Sequence, residues 1–256
     1  MSLAALLPSG ISVSSVTAIC VIALIAGVAR GFSGFGSALI FMPLASSIAA
    51  PSLVAGLLLV IDSIAAAPLI PGAFRHADRK AVITMVAGSA VGVPLGTYAL
   101  TQLDPVTTRW IISAFVIAML ALLASGFRYR GEDHGPIAAG VGGLSGFCSG
   151  LAQTGGPPIV AYWLGRPITP VMARANIVLF FAAADVFSVV SYLIAGLLTT
   201  DVLKLSLVVG PVFAFGLLVG AQMFGKASET LFRITCYALI ALAAVIGLPL
   251  LDGLLR

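Results

Sequence analysis

The chain has 256 residues, 60% hydrophobic and 9% charged, with a mean hydropathy of +1.16. A soluble domain carries about 25% charged residues, so this composition excludes one: too few polar groups exist to cover its surface. The net charge of +4 does not point to nucleic acid, because the basic residues sit at the ends of apolar stretches, as membrane topology signals do.

Stretches free of Asp, Glu, Lys and Arg run Met1–Ala29, Gly31–Ile61, Ala81–Leu103, Trp110–Phe127, Gly135–Gly165, Leu205–Gly225 and Ile234–Leu251. About 20 apolar residues cross a hydrocarbon core of about 30 Å. Most stretches therefore suit one crossing, and the two longest, Gly31–Ile61 and Gly135–Gly165, hold a turn as well. Ten helical segments follow in chain order, near 12–30, 34–49, 51–72, 79–101, 106–126, 135–150, 156–165, 169–197, 201–224 and 228–250. Pro51, Pro105 and Pro170 open three of them, in the first turn where a missing N–H costs nothing. No Lys or Arg precedes Arg30, so the first segment reads as a helix of the mature protein and not as a secretory signal. Cys20, Cys148 and Cys236 are single and far apart, His76 and His134 fall in loops, and no spacing suggests a metal or a cofactor.

The two halves align. A shift of 119 residues puts Gly27 on Gly146, Gly31 on Gly150, Gly36 on Gly155 and Pro51 on Pro170. A shift of 124 puts Gly92 on Gly216, Gly96 on Gly220 and Arg109 on Arg233. The ordered set, with its proline and arginine, indicates a duplication: residues 1–130 form a first transmembrane repeat and 131–256 a second. Arg75, Arg79, Lys80, Arg128, Arg130, Arg166, Arg174, Lys226 and Arg233 cluster in one set of connections. The opposite turns hold Asp104, Asp201 and Lys204. The positive set belongs in the cytoplasm, which leaves both termini external and makes the repeats inverted.

Two glycine-rich segments occupy the same place in each half, RGFSGFGSALIFMPL (Arg30–Leu44) and GFCSGLAQTGGPPIVAYWL (Gly146–Leu164). Gly31, Gly34 and Gly36, like Gly155, Gly156, Pro157 and Pro158, resist helix continuation, and broken backbone at membrane depth must line a wet cavity or be buried in protein. The expected fold is therefore all-α and polytopic, each repeat of about five segments carrying a broken or re-entrant hairpin, the two tips expected to meet near the bilayer midplane. New helices should begin near Ser37 and Pro157, with N-termini that favour an anion. Ser33, Ser37, Gln153 and Thr154 add neutral hydrogen-bonding groups, and Arg30 is the one positive charge before Arg75. Arg30, Gly31, Ser33, Gly34, Gly36, Ser37, Gln153, Thr154, Gly155, Gly156 and Pro157 are thus the candidate anion-binding residues. The competing view makes the glycines packing residues and lets Arg30 snorkel to an interface.

Asp62 and Asp185 form a second pair, one helical turn apart in the repeat alignment. A carboxylate there is costly unless paired, wet or protonated. Two readings stand: proton coupling, or a structural partner for Arg30 or Arg174. Asn176, Arg174 and Trp163 are further candidates to face the cavity, with Arg174 alternatively marking the membrane boundary. Gly88, Gly92 and Gly96, like Gly142, Gly146 and Gly150, follow the small-xxx-small pattern of closely packed helices. Trp110, Tyr129, Tyr162 and Trp163 fit membrane–water interfaces. No HExxH, GxSxG or histidine within a span supports an intramembrane enzyme.

The segments RGFSGFGSALIFMPL and SGLAQTGGPPIVAYWL, together with the repeated length, resemble the signatures of the TauE/SafE family of bacterial membrane permeases. The resemblance implies a multi-pass secondary carrier of the inner membrane for sulfite, sulfoacetate or other organosulfonates, aromatic ones included. It implies four helices per half, which the ten segments match if the hairpins cross only partway. The partners to expect are a small anion, membrane lipid and a coupling proton. A carrier or channel for another small anion, such as a carboxylate, is the alternative.

Overall fold

The computed structural model describes residues 12–129, 131, 135–223 and 229–251, and no strand occurs among them. Arg130, His134 and Lys226, with the side chains of Ser33 and Arg233, lie outside the described residues. Among the described residues are eleven α-helices: α1 (Val13–Ser33), α2 (Ser37–Ser46), α3 (Pro51–Ala66), α4 (Ile70–His76), α5 (Arg79–Gln102), α6 (Pro105–Ala124), α7 (Gly135–Ala152), α8 (Gly156–Trp163), α9 (Pro170–Ile194), α10 (Thr200–Met223) and α11 (Glu229–Gly247). Six stretches among the described residues are long and apolar enough to cross a membrane, α3 and α4 counting together as one.

Helix starts follow local chemistry. Pro51, Pro105 and Pro170 are the first residues of α3, α6 and α9, as expected. The Thr169 hydroxyl accepts from Met172 N–H at 3.2 Å, and the Asp104 carboxylate accepts from Val106 and Thr107 N–H, both at 3.0 Å. A hydrogen bond from the Thr107 side chain, with these backbone bonds, holds the Asp104 carboxyl below its ordinary value. The third segment departs from expectation: a single helix over 51–72 is replaced by α3, a 3-10 turn at Ala67–Leu69, and α4. Pro68 and Pro71 are the reason, since each removes a donor and crowds the preceding turn.

The chain forms two compact units, each drawing on both sequence halves. The first contains α1, α2, α3 through Ile61, α6 through Leu120, α10 and α11. Its seam is α1 against α10. A Cβ on Gly31 would collide with the Leu217 carbonyl oxygen, and one on Gly220 with that of Val28. Gly31 therefore lies inside a continuous α1, and its glycine is explained by close approach; the expectation that it interrupts the helix is corrected. The break is confined to Gly34–Gly36.

The second unit contains α4, α5, α7, α8 and α9 with the adjoining ends of α3 and α6. Here α5 packs on α7 along Gly88, Gly92 and Gly96 and along Gly142, Gly146 and Gly150. At each of these six a Cβ would fall on the backbone of the facing helix. Lipid tails are as apolar as the side chains, so this close packing replaces the hydrophobic effect as the force joining the helices. The seam of each unit brings together glycines that the sequence alignment matches, Gly27 and Gly31 with Gly216 and Gly220 in one, Gly146 and Gly150 with Gly92 and Gly96 in the other.

Tyr162 and Trp163 do not face lipid: they are 1% and 2% exposed, in the apolar core of the second unit. Tyr162 stacks on Tyr129 with ring centroids 5.2 Å apart, and Trp163 meets Tyr162 edge-on. Trp110 remains exposed.

Arg109 is buried in the first unit, where its Nε and Nη2 donate to the Gly247 carbonyl oxygen at 3.3 and 3.1 Å. A cation thus closes the C-terminus of α11, where carbonyls lack helical partners and the dipole favours positive charge. Arg109→Met should destabilise the purified protein by about 2 kcal/mol, the scale of hydrogen bonds to a charged group, with a smaller loss for Arg109→Lys. An unchanged melting temperature in the methionine variant would show that the cap contributes nothing.

Candidate anion site at the two helix breaks

In the first unit α1 ends where Gly34 turns left-handed, with φ 80°, and its N–H donates to the Arg30 carbonyl at 2.7 Å. Gly36 is also left-handed, with φ 94°, and precedes α2. Two such residues within three positions require glycine, and a Cβ on either would meet nothing within 4 Å. This stretch of backbone is therefore not covered by close packing. No side chain caps α2. Ser37, its first residue, is buried, and Arg30 is partly buried one turn before the break.

The break in the second unit has different chemistry. Gln153 is the residue in the left-handed conformation, with φ 56°, the one non-glycine there among the described residues. Its N–H donates to the Ser149 carbonyl at 2.8 Å, and the buried Thr154 donates its N–H to the Cys148 carbonyl at 3.2 Å. A Cβ on Gly155 would collide with Ser145 and Ser149, and Ser145 Oγ donates to the Gly155 carbonyl at 2.6 Å. Gly155 is thus a close-approach glycine, whereas Gly156 has open space beside it.

The expectation that both new helices present free N–H groups needs correction at α8. Its second and third residues are Pro157 and Pro158, which have no N–H. Of its first three positions only Gly156 offers a donor, whereas Ser37 and Ala38 both do in α2. Donation at the second break falls to side chains, and Gln153 is partly exposed there. Its Nε2 donates to Tyr192 Oη at 3.4 Å, and Tyr192 Oη donates to the Gly150 carbonyl at 2.9 Å. Because the tyrosine proton is committed to that carbonyl, Tyr192 accepts from glutamine, which fixes the amide orientation. Tyr192 is fully buried on the α9 face that also carries Asn176, Phe180, Ala184 and Ser188. Sequence reasoning missed it because it stands in an apolar helix; the four-residue spacing of that face was the available signal.

Asp62 and Asp185 both belong to the second unit. Ser63, next to Asp62, donates its hydroxyl to Asp185 Oδ2 at 2.8 Å, joining the end of α3 to α9. Both carboxylates are partly buried. Asn176 is fully buried, and its Oδ1 accepts the Asp78 N–H at 2.8 Å, pinning the α4–α5 junction to α9. Arg174, two residues earlier, is exposed. Cys20, Cys148 and Cys236 are free thiols.

Long apolar helices, two interrupted hairpins with polar groups at the breaks, and carboxylates within helical stretches define a polytopic α-helical membrane protein. Its kinship is equally plain. The family model described as sulfite exporter TauE/SafE matches residues 19–246, and the chain belongs to that family. Among curated proteins it is 26% identical over 232 residues to the "Probable sulfite/organosulfonate exporter TauE" of Cupriavidus necator strain H16, covering 86% of this chain and 89% of the relative. No solved structure matches.

Proposed function

We propose that this chain is a secondary transporter of a small sulfur-containing anion, sulfite or an organosulfonate such as sulfoacetate, across the bacterial inner membrane. The observation that carries the reading is the pair of breaks at matched positions in the halves, one with α2 N–H groups and Arg30 nearby, the other with Gln153. A sulfonate has three acceptor oxygens and a fixed negative charge, which neutral donors and one guanidinium satisfy. In this reading Arg30 and Ser37 serve an anion at the first break and Gln153 and Thr154 at the second, with Gly34, Gly36 and Gly156 leaving room beside the backbone. The family membership and the relative's printed description support the sulfur chemistry.

The chain is read as two inverted repeats, residues 1–130 and 131–256, with external termini. The seam glycines of the two units support the duplication, and the loop charges support the orientation. Coupling to protons or to the membrane potential is assigned to Asp185, with Ser63 on its carboxylate, and to Asp62, which precedes Ser63 in α3. A carboxylate substrate is the second reading, favoured by the same neutral donors, which fit any oxyanion.

Proteoliposomes holding the purified chain test this directly. Saturable flux of sulfite or sulfoacetate, stimulated by a pH gradient or a potential, is expected. In Asp185→Asn, flux driven by a pH gradient should fall at least tenfold while exchange persists. Carboxylates moving where sulfonates neither move nor compete would transfer the assignment to the second reading. Flux that never saturates would mean a channel.

A further inference from the structure

The junction between α4 and α5 is a cationic, apolar-rimmed surface for which anion transport has no use. Residues Pro51–His76 form one apolar stretch of 26 residues. About 20 apolar residues suffice to cross a hydrocarbon core of about 30 Å, and this stretch is longer and ends on Arg75 and His76. The α4 end therefore emerges among lipid headgroups. Two contacts hold it in place: Ala73 is buried, with α4 lying on α9, and the fully buried Asn176 fixes the Asp78 N–H. Outward, Leu69 and Phe74 are 48% and 52% exposed. Beside them Arg75, Arg79 and Lys80 are all exposed.

The charges of this surface are arranged for an external anion. Asp78, the nearest acid, spends its carboxylate on α5, accepting the N–H groups of Lys80 and Ala81 at 3.1 and 3.2 Å. The Arg79 guanidinium lies 4.4 Å above the Phe74 ring, and its Nη2 donates to the Phe74 carbonyl at 3.3 Å. A stacked guanidinium is ordered in advance and presents a planar donor fork, the geometry that suits a phosphate diester. Exposed Leu69 and Phe74 suit acyl chains, and the surplus positive charge selects against zwitterionic headgroups.

We propose that the α4–α5 junction is a docking site for anionic phospholipid, whose phosphate sits on Arg79 with Arg75 and Lys80 alongside. The test uses the full chain in mixed micelles of phosphatidylglycerol or phosphatidylcholine, scoring lipid retained per protein and the melting temperature. The wild type should retain phosphatidylglycerol preferentially. Each charge removed in the R75Q, R79Q and K80Q series should lower that preference about fivefold. Arg128→Gln, which removes an exposed charge elsewhere, should leave the preference intact. Arg79→Lys keeps the topology charge but loses the stacked fork, so it should cost about threefold and remains decisive if the combined variant fails to insert. An undiminished preference in the triple variant or in Arg79→Lys, or an equal loss with Arg128→Gln, would overturn the site.

Discussion

Gly92→Ala should destabilise the protein by about 2–3 kcal/mol, because a methyl group there meets the Gly143 carbonyl, which cannot move without moving α7. Gly140→Ala should have the opposite sign. It lies on the exposed side of α7 with nothing within 4 Å, so the better helix former should add about 0.5–1 kcal/mol. Gly216→Ala in the α1–α10 seam should behave like Gly92→Ala, since its methyl would strike the Leu24 carbonyl. The buried Cys148 thiol, which lies on α7, is a convenient reporter. Its labelling by a thiol reagent on heating should begin several degrees earlier in Gly92→Ala and later in Gly140→Ala. Equal behaviour of the two variants would remove the seam as the basis of packing in the second unit.

Gln153→Gly should separate stability from transport. Holding a glutamine at φ 56° costs about 1 kcal/mol that glycine does not incur. The lost bond to Tyr192 Oη is long, at 3.4 Å, and Tyr192 keeps its bond to the Gly150 carbonyl. The variant should therefore melt at the same temperature as the wild type or higher. Its apparent affinity for a sulfonate should fall at least tenfold, the scale of one hydrogen bond to a charged group. The repeat alignment sharpens this expectation: a shift of 119 places Gln153 on Gly34, which is left-handed too. One half keeps the glycine that the turn prefers, and the other keeps a carboxamide where Pro157 and Pro158 have removed backbone donors. A Gln153→Gly protein with wild-type affinity would show that the carboxamide does not touch the anion.

The elements readable from sequence are those whose cause is local. Prolines at helix starts, glycine spacing along α5 and α7, and the two breaks each follow from residues within a few positions. The end of α3 was obscured because Pro68 and Pro71 lie in an apolar run that hydropathy alone reads as continuous. Burial of Tyr162 and Trp163 was hidden because lipid and protein interior are equally apolar, so no sequence contrast marks which one an aromatic faces. Arg109 and Gly247 are far apart in sequence, and nothing near Arg109 names its acceptor. At the candidate site, the loss of α8 donors could have been read from Pro157 and Pro158. The left-handed turn at Gln153 could not, since glycine is the residue that usually announces one.

The sharing of each compact unit between both halves of the sequence bears on biosynthesis. α1 ends at Ser33, but its seam partner α10 opens only at Thr200. At about 5–20 residues per second, α1 must wait on the order of ten seconds in the bilayer with its glycine face unmatched. The seam between α5 and α7 can close much sooner, because both are complete by Ala152. Assembly should therefore be ordered, the α5–α7 seam of the second unit closing before the α1–α10 seam of the first. A protein built this way depends on whatever shields a lone glycine-faced helix in the membrane, and its halves, expressed separately, should be stable only when each finds the other.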